Sequence, residues 1–157
     1  RGVLIHSLLE RLPDVEPVER MTAATLWLEK QAPELASQTA RSIAVSCIDL
    51  IQDPRFIDIF ASSSLAEVPL AAIVEGKVVS GVVDRLLITD TVVKVIDFKT
   101  TRRPPEKFDE IPKATLSQMS AYMAALGVIY PDREIRGGVL YTEKPILFEL
   151  QPIELTS

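Results

Sequence analysis

Apolar positions in the first third of the chain recur at helical spacing. In the opening segment, four apolar side chains at i, i+3, i+4 and i+7 share one helix face: Ile5, Leu8, Leu9 and Leu12. Pro13 ends this segment. A second helix is predicted from Pro17 to about Gln31, because proline suits the first helical turn, and a third from near Pro33 to about Ile51. The stripes predicted to face inward are Met21, Ala24 and Leu28 in the second helix, and Ala36, Ala40, Ile43, Cys47 and Leu50 in the third.

From Leu65 onward the pattern changes to runs of β-branched residues separated by short polar links, which is typical of strands. Three strands are predicted over residues 65–74, 77–89 and 91–100. Residues 101–112 contain three prolines and a run of charge, so they predict a loop. A helix from about Ala114 to Gly127 follows, and strands near Gly137–Thr142 and Ile146–Leu150 complete the chain. The buried stripe of this last helix is predicted to be Leu116, Met119, Met123 and Leu126.

This order of elements predicts an α/β fold with a mixed β-sheet flanked by helices and an N-terminal helical segment. Consecutive hairpins favour antiparallel pairs, whereas the long crossover through the last helix allows a parallel pair. We expect one domain over residues 1–157, with a helical segment at 1–60 and a sheet-and-helix core at 61–157. Because the chain opens at Arg1 and not at Met, we expect it to be a fragment of a longer protein.

The composition limits the kinds of site and function that the chain can have. The single cysteine, Cys47, cannot form an internal disulfide or build a four-thiolate zinc or iron–sulfur site alone, and its position predicts a core residue. We expect a reduced, cytoplasmic setting, since the sequence has no signal peptide and no apolar run near the ~18 residues that a membrane span needs. The net charge of −5 argues against nucleic-acid binding. Carboxylates that hold divalent cations would account for part of that charge.

Asp84 and Asp97 form the most informative pattern. If the second and third strands are joined by a two-residue loop at Asp90-Thr91, paired residues have numbers that add to 181, so Asp84 faces Asp97 with Cβ atoms about 5 Å apart. Lys99 projects from the same face. Phosphodiester hydrolysis needs a cation held by oxygen ligands, and a group that positions water or neutralises developing charge. A one-residue register shift would separate the trio. A purely structural role, with Lys99 paired to one aspartate at a sheet edge, stays open.

Five ordered segments extend this pattern: RGVLIHSLLERLP, AEVPL, GVVDRLL, VIDFKT and QMSAY. Together they resemble the RecB-type nuclease domain of the PD-(D/E)XK superfamily, and most closely the C-terminal nuclease domain of AddA helicase–nuclease subunits. The resemblance covers the chain from Arg1 to about Leu150. It implies a restriction-endonuclease-like fold and a Mg²⁺-dependent (exo)deoxyribonuclease, with Mn²⁺ able to substitute. Relatives with an iron–sulfur cluster carry four cysteines, so no cluster is expected here.

The resemblance also assigns roles to individual residues. The metal ligands would be His6, Asp84, Asp97 and the backbone carbonyl of Phe98, with Glu67 as an additional candidate. Lys99 would be the catalytic lysine, and Gln118 and Tyr122, which lie four residues apart on one helix face, would support the site and meet the DNA strand. Each residue also has an ordinary structural interpretation: His6 as a satisfied surface or core histidine, Glu67 as a solvated strand-edge residue, and Gln118 and Tyr122 as boundary residues beside the helix stripe.

The loop after Lys99 is basic, with Arg102, Arg103 and Lys107 against one acidic residue, Glu106. Such a loop is well placed to contact DNA phosphates, although a solvated run of charge is an equal alternative. Hypothesis: Arg102 and Arg103 contact the DNA backbone, which an unchanged salt dependence of binding and cutting in the double alanine variant would contradict.

Three function classes follow from these observations, the third being a globular interaction domain whose motifs match by chance. The first is an enzyme that cuts single-stranded DNA ends during double-strand-break processing in recombinational repair. The resemblance implies an ATP-dependent helicase in the same bacterial parent chain and a second nuclease subunit of AddB type. The second class is a catalytically inactive nuclease-fold module that binds DNA or a partner subunit. The acidic net charge favours the second class, and the complete set of His6, Asp84, Asp97 and Lys99 favours the first.

Overall fold

The protein is described by a computed structural model that covers residues 1–152. The predicted domain extends to Ser157, and its last residues, 153–157, lie outside the described range. The chain divides into two compact units, Arg1–Ser62 and Ser63–Ser157. Within residues 1–152, no helix combines the length and apolar character needed to cross a membrane.

The first unit is helical. It contains α1 (Gly2–Arg11), α2 (Arg20–Gln31) and α3 (Ser37–Gln52), with short 3₁₀ turns between or after them. The apolar stripes predicted for α1 and α2 are largely buried, because helical spacing brings them to one face: Ile5, Leu8, Leu9, Ala24 and Leu28. Pro17 opens a 3₁₀ turn ahead of α2 and not α2 itself, so the predicted start of this helix is three residues early.

The predicted start of the third helix is wrong. α3 begins at Ser37 and not near Pro33, because the backbone N–H of Leu35 donates to the carbonyl of Ala32 at 3.0 Å and closes a turn ahead of the helix. Ala36 is the exposed, extended residue before the first helical turn, so it does not belong to the buried stripe. The rest of the predicted stripe is buried: Ala40, Ile43, Cys47 and Leu50.

The second unit is built on a five-stranded sheet. Its strands are β1 (Leu65–Val74), β2 (Lys77–Ile88), β3 (Val92–Lys99), β4 (Glu134–Tyr141) and β5 (Ile146–Leu150), and they lie side by side in chain order. Only β3 and β4 run parallel; the other neighbouring pairs are antiparallel. The parallel pair spans the long crossover, as a parallel connection requires. The predicted α/β architecture with a mixed sheet is therefore confirmed.

The crossover contains a 3₁₀ turn at Phe108–Glu110 and the helix α4 (Lys113–Ile129), which packs on one face of the sheet. Three of the four residues in its predicted stripe are buried, and Leu116 is partly buried against the same core. The apolar core that they share with the sheet includes Val83, Val95, Val139, Met119, Met123 and Leu126. Burial of this apolar face fixes α4 over the centre of the sheet.

The register of the β2–β3 hairpin is the predicted one. The backbone N–H of Thr89 donates to the carbonyl of Val92 at 2.8 Å, which closes a two-residue loop. Leu86 then pairs with Val95, and Arg85 pairs with Ile96. Since a two-residue loop fixes the pairing of every residue behind it, this hairpin determines which side chains of β2 and β3 share a face.

Alanine substitutions at two glycines, Gly138 and Gly127, are expected to change the free energy of unfolding in opposite directions. A Cβ atom at Gly138 in β4 would lie 2.8 Å from Cδ1 of Ile96 and 3.0 Å from Cδ1 of Leu147. Ile96 is fully buried, so its side chain would have to shift within a packed core. Gly138→Ala is therefore expected to lower the free energy of unfolding by about 1–3 kcal/mol, the usual cost of overpacking. Urea denaturation followed by circular dichroism measures this loss.

The matched control is Gly127→Ala in α4. There a Cβ atom would come no closer than 4.0 Å to Ile135, and alanine loses less conformational entropy than glycine in a helix. This variant is expected to raise the free energy of unfolding by about 0.5–1 kcal/mol. Equal effects of the two substitutions would contradict the packing described for Gly138.

Candidate active site

Between β2 and β3, the Asp84 carboxylate accepts a hydrogen bond that a backbone carbonyl would accept in a regular ladder. The last backbone pair of this ladder is Arg85 with Ile96. One residue farther, Oδ2 of Asp84 accepts a hydrogen bond from the backbone N–H of Phe98 at 2.7 Å. Extended by one residue beyond the Arg85–Ile96 pair, the same register would place Asp84 opposite Asp97. The shared face of the two carboxylates stays a prediction.

Asp97 and Lys99 form an ion pair on this face. Nζ of Lys99 lies 3.1 Å from Oδ2 of Asp97, and it also donates a hydrogen bond of 3.1 Å to Oε1 of Gln118 in α4. Asp97 is only 8% exposed, so its charge needs a nearby cation to offset the cost of removing it from water. Lys99 supplies that charge, and its hydrogen bond to Gln118 fixes the ammonium group between β3 and α4.

The polar chain continues along α4. Nε2 of Gln118 lies 3.5 Å from the hydroxyl oxygen of Tyr122, one helical turn away. Gly81 in β2 lies under the Tyr122 ring: a Cβ atom there would meet the hydroxyl oxygen at 2.6 Å and ring carbon Cε1 at 3.0 Å. The missing side chain at Gly81 therefore lets Tyr122 lie directly against β2. The structure thus joins Lys99, Gln118 and Tyr122 in one polar chain. The sequence spacing had placed only Gln118 and Tyr122 together, on one helix face.

The donors near Asp84 fit a hard divalent cation. Successive residues of a strand direct their backbone groups to opposite neighbours. The carbonyl of Lys99 accepts from the N–H of Thr142 on the β4 side at 3.0 Å, so the Phe98 carbonyl is directed to the β2 side, where Asp84 lies. Two carboxylates and one carbonyl suit Mg²⁺, which commonly uses one or two carboxylates and retains several waters. Within residues 1–152, no group of three or more His, Cys, Asp or Glu side chains forms a metal site.

Glu67 lies one strand farther along the same row. The β1–β2 register pairs Ala66 with Arg85 and Val68 with Val83, which leaves Glu67 opposite Asp84 at an interruption in the ladder. Glu67 has a φ of 50° and is exposed. A left-handed backbone conformation is unfavourable for a non-glycine residue, so this point of β1 is locally strained. The role of Glu67 as a metal ligand stays a prediction.

His6 and Cys47 belong to the helical unit. His6 lies in α1, partly buried, between the buried residues Ile5 and Leu8, and its role as a metal ligand stays a prediction. Cys47 is 2% exposed. Burial raises the pKa of its thiol to about 12, against a smaller lowering by the charge of Arg1. The thiol is therefore protonated at neutral pH, as expected for a core residue without chemistry.

The three basic residues of the loop between β3 and α4 are exposed: Arg102, Arg103 and Lys107. The carbonyl of Lys107 accepts the backbone N–H of Glu110 at 3.1 Å, which anchors the end of the loop at the 3₁₀ turn. Exposure leaves the cationic groups accessible, and their contacts with DNA stay a prediction.

Sequence reasoning missed Tyr141. This residue pairs with Lys99 across the parallel β3–β4 ladder, so both side chains lie on the same face of the sheet. Tyr141 is 2% exposed, and burial, with the charge of Asp97 as a second cause, raises the pKa of its hydroxyl. Its place could be found only from the register between β3 and β4, which the long crossover leaves open.

Comparison with known proteins identifies a family. Residues 1–153 match the PD-(D/E)XK nuclease superfamily. Together with the mixed five-stranded sheet and its helices, this match confirms the predicted restriction-endonuclease-like fold. No curated protein matches the chain. The crystal structure of SSO0001 is similar at 15% identity, covering 98% of this chain and 80% of that one, with a TM-score of 0.42. A score of that size is too low to support an inference.

The hydrogen bond from Phe98 to Asp84 predicts a difference between two substitutions. Asp84→Ala leaves a partly buried backbone N–H without its acceptor and is expected to lower the free energy of unfolding by about 1–3 kcal/mol relative to Asp84→Asn. The amide oxygen of asparagine can still accept this bond. Both variants remove the same charge, so their comparison in urea denaturation isolates the hydrogen bond. Equal stability would contradict a structural role for this carboxylate.

Proposed function

The chain belongs to the PD-(D/E)XK nuclease superfamily, and from this premise we propose that it cuts DNA by Mg²⁺-dependent hydrolysis of phosphodiester bonds, with Mn²⁺ able to substitute. The observation that carries this proposal is the position of Lys99. Its ammonium group lies between Asp97 and Gln118, at 3.1 Å from each. Nuclease chemistry needs such a cationic group beside oxygen ligands for a metal.

Each residue has a distinct proposed role. Asp84, Asp97 and the Phe98 carbonyl would hold the cation, with His6 and Glu67 as further ligands. When bound, a divalent cation supplies Lewis-acid polarisation of the phosphate and activates water. Lys99 would donate hydrogen bonds to the phosphate oxygens as negative charge develops, or orient the attacking water.

Gln118 would position the catalytic lysine, and Tyr122 would position the DNA strand. Oε1 of Gln118 accepts a hydrogen bond from Lys99, which fixes the direction of the ammonium group. Tyr122 lies over Gly81 at the edge of this arrangement, where its ring can contact the DNA strand. Exposed Arg102, Arg103 and Lys107 would contact backbone phosphates, which bind through charge and fix the register of the strand.

The wider role rests on the resemblance of the ordered motifs to RecB-type and AddA nuclease domains. We propose that the chain is the nuclease domain of a cytoplasmic bacterial helicase–nuclease that resects DNA ends as an exonuclease in recombinational repair. Single-stranded DNA would be delivered by ATP-dependent helicase domains of the same parent chain, and a second nuclease subunit of AddB type would process the other strand. No iron–sulfur cluster is part of this proposal.

A second candidate function is a catalytically inactive module that binds DNA or a partner subunit. The net charge of −5 favours it, because repulsion between the domain and DNA phosphates weakens DNA binding by an isolated nuclease. Under this proposal the ion pair between Asp97 and Lys99 would be structural.

The direct test of the enzyme is cleavage of end-labelled single-stranded DNA with Mg²⁺ or Mn²⁺. Lys99→Gln and Asp97→Asn are each expected to lower the cleavage rate by about 100-fold or more, the usual loss when a charge-stabilising group is removed. Chelation with EDTA should abolish cleavage, because the proposed chemistry requires the cation.

Matched controls are available on the same hairpin. Lys94→Gln removes a lysine from β3 on the opposite face, where it pairs with Glu149, and Asp90→Asn removes an exposed carboxylate from the turn. Both should cut at the wild-type rate. A wild-type chain that binds the strand without cutting it under any metal condition would support the inactive module.

Gly81→Ala tests the position of Tyr122. The added methyl group would displace the tyrosine ring, and we expect cleavage to slow by about tenfold to 100-fold, since a displacement of about 1 Å at a site can cost 100-fold. Ser80→Ala, at the neighbouring exposed position in β2, is the control and should cleave DNA at the wild-type rate.

A double-variant comparison separates this effect from a general loss of stability. In a Tyr122→Ala background the clash is absent, so Gly81→Ala should slow cleavage no further. An additional loss of similar size in that background would contradict the proposed contact.

A further inference from the structure

A cavity lies beside Lys99, on the side of the β4 strand. Its volume is about 380 Å³, and its lining includes Lys99 in β3, Tyr141 in β4 and Thr115 in the first turn of α4. The loop between β3 and α4 forms the rest of its wall. Cavities of about 300–1,000 Å³ accommodate small organic ligands. The cavity therefore has room for a group the size of one nucleotide, directly next to the proposed catalytic lysine.

Tyr141, a residue of the cavity lining, has a buried hydroxyl whose lack of a hydrogen-bond partner among the described residues suggests a ligand. The side chain is 2% exposed, and within the part of the chain that the structure describes its hydroxyl has no hydrogen-bond partner. A buried polar group without a partner costs free energy, so such groups are rare in the absence of a function. Thr115, only 8% exposed, is a second buried polar side chain of the lining. Both residues line the cavity together with Lys99, and both hydroxyls are hydrogen-bond donors.

The charges of the lining favour an anion. Lys99 and Arg103 contribute two cationic groups, and Glu110 is the one acidic residue of the lining. Oε2 of Glu110 accepts a hydrogen bond of 2.9 Å from the backbone N–H of Glu106. One oxygen of this carboxylate is therefore bound to the loop backbone. Arg102, the neighbour of Arg103 in the sequence, is not part of the lining.

The remaining lining is suited to a sugar or base. Three prolines contribute apolar ring surfaces to the cavity: Pro104, Pro105 and Pro112. Proline rings are rigid, so this wall exists before a ligand binds and little conformational entropy is lost on binding. A lining that combines apolar rings with two cations matches a molecule with a flat organic part and a phosphate.

We propose that this cavity binds one nucleotide unit of a single strand, the one adjoining the phosphate that is cut. Its phosphate would face Lys99 and Arg103, its sugar and base would lie against the prolines, and the Tyr141 hydroxyl would donate a hydrogen bond to it. This proposal rests on the proposed function, because it takes Lys99 to lie at the cutting site. It goes beyond that function by assigning a subsite for substrate that the metal ligands do not provide.

The probe is thymidine 5′-monophosphate, which has no phosphodiester bond to cut. Its affinity for the full chain is measured in EDTA by titration calorimetry or by chemical-shift changes in NMR. Tyr141→Phe is expected to weaken binding by about threefold to tenfold, the effect of one lost hydrogen bond. The same variant should keep or raise the melting temperature of the free protein, because phenylalanine removes a buried hydroxyl that has no partner. A purely structural role for Tyr141 would not produce this combination.

Two charge-removing variants form the matched control. Arg103→Gln should weaken binding by at least threefold. Lys113→Gln, which removes a positive charge from an exposed residue outside the lining, should leave it unchanged. Thymidine and inorganic phosphate should each bind more weakly than the nucleotide, because each occupies only part of the cavity. If Tyr141→Phe folds poorly, Thr115→Val replaces it and should weaken binding by a similar factor.

Several outcomes would overturn the proposal: unchanged affinity in both Tyr141→Phe and Arg103→Gln, equal losses for Lys113→Gln and Arg103→Gln, or inorganic phosphate binding as tightly as the nucleotide. The measurement separates the two proposals, because it needs neither metal nor turnover. A chain that cuts DNA but does not bind the nucleotide contradicts the subsite alone. A chain that binds the nucleotide through Tyr141 but never cuts DNA contradicts the nuclease proposal alone.

Discussion

The hydrogen bond from the Phe98 backbone to the Asp84 carboxylate is the constraint on which the rest of the site depends. By accepting this N–H, Asp84 takes the place of a backbone group at the point where the β2–β3 ladder stops. Its carboxylate is thereby held inside the sheet, next to the position of Asp97. Two carboxylates so arranged repel each other, and a fold retains such a pair only if a positive charge is close. Lys99 provides one, and a bound cation would provide another.

The position of Lys99 in turn depends on the packing of α4. Met119, Met123 and Leu126 bury one face of this helix against the sheet, which brings Gln118 within hydrogen-bond distance of the lysine. A longer side chain at Gly81 would push Tyr122, and the helix face that carries it, away from β2. The apolar core and the polar chain from Asp97 to Tyr122 are therefore set by the same helix. Packing determines the direction in which the charged groups can act.

The sequence predicts local geometry better than distant pairing. The β2–β3 register follows from a two-residue loop and the alternation of side chains, so Asp97 and Lys99 could be placed on one face in advance. No comparable rule fixes β4 against β3, because a loop and a long helix separate them. Tyr141 and the cavity beside it were missed for that reason. The error at Ala36 has a local cause: a turn formed by Leu35 and Ala32 delays the helix, and periodicity alone does not detect it.

The acidic net charge is compatible with a nuclease because charge acts locally. At physiological ionic strength, interactions between exposed charges are largely screened beyond about 8 Å, so a phosphate responds to the groups around it more than to the total of −5. Asp84 and Asp97 are part of that total, and a divalent cation would neutralise them where it binds. Beside them, Lys99 and Arg103 border a cavity with one acidic residue in its lining. The lining of this cavity therefore has a charge balance opposite in sign to that of the whole chain.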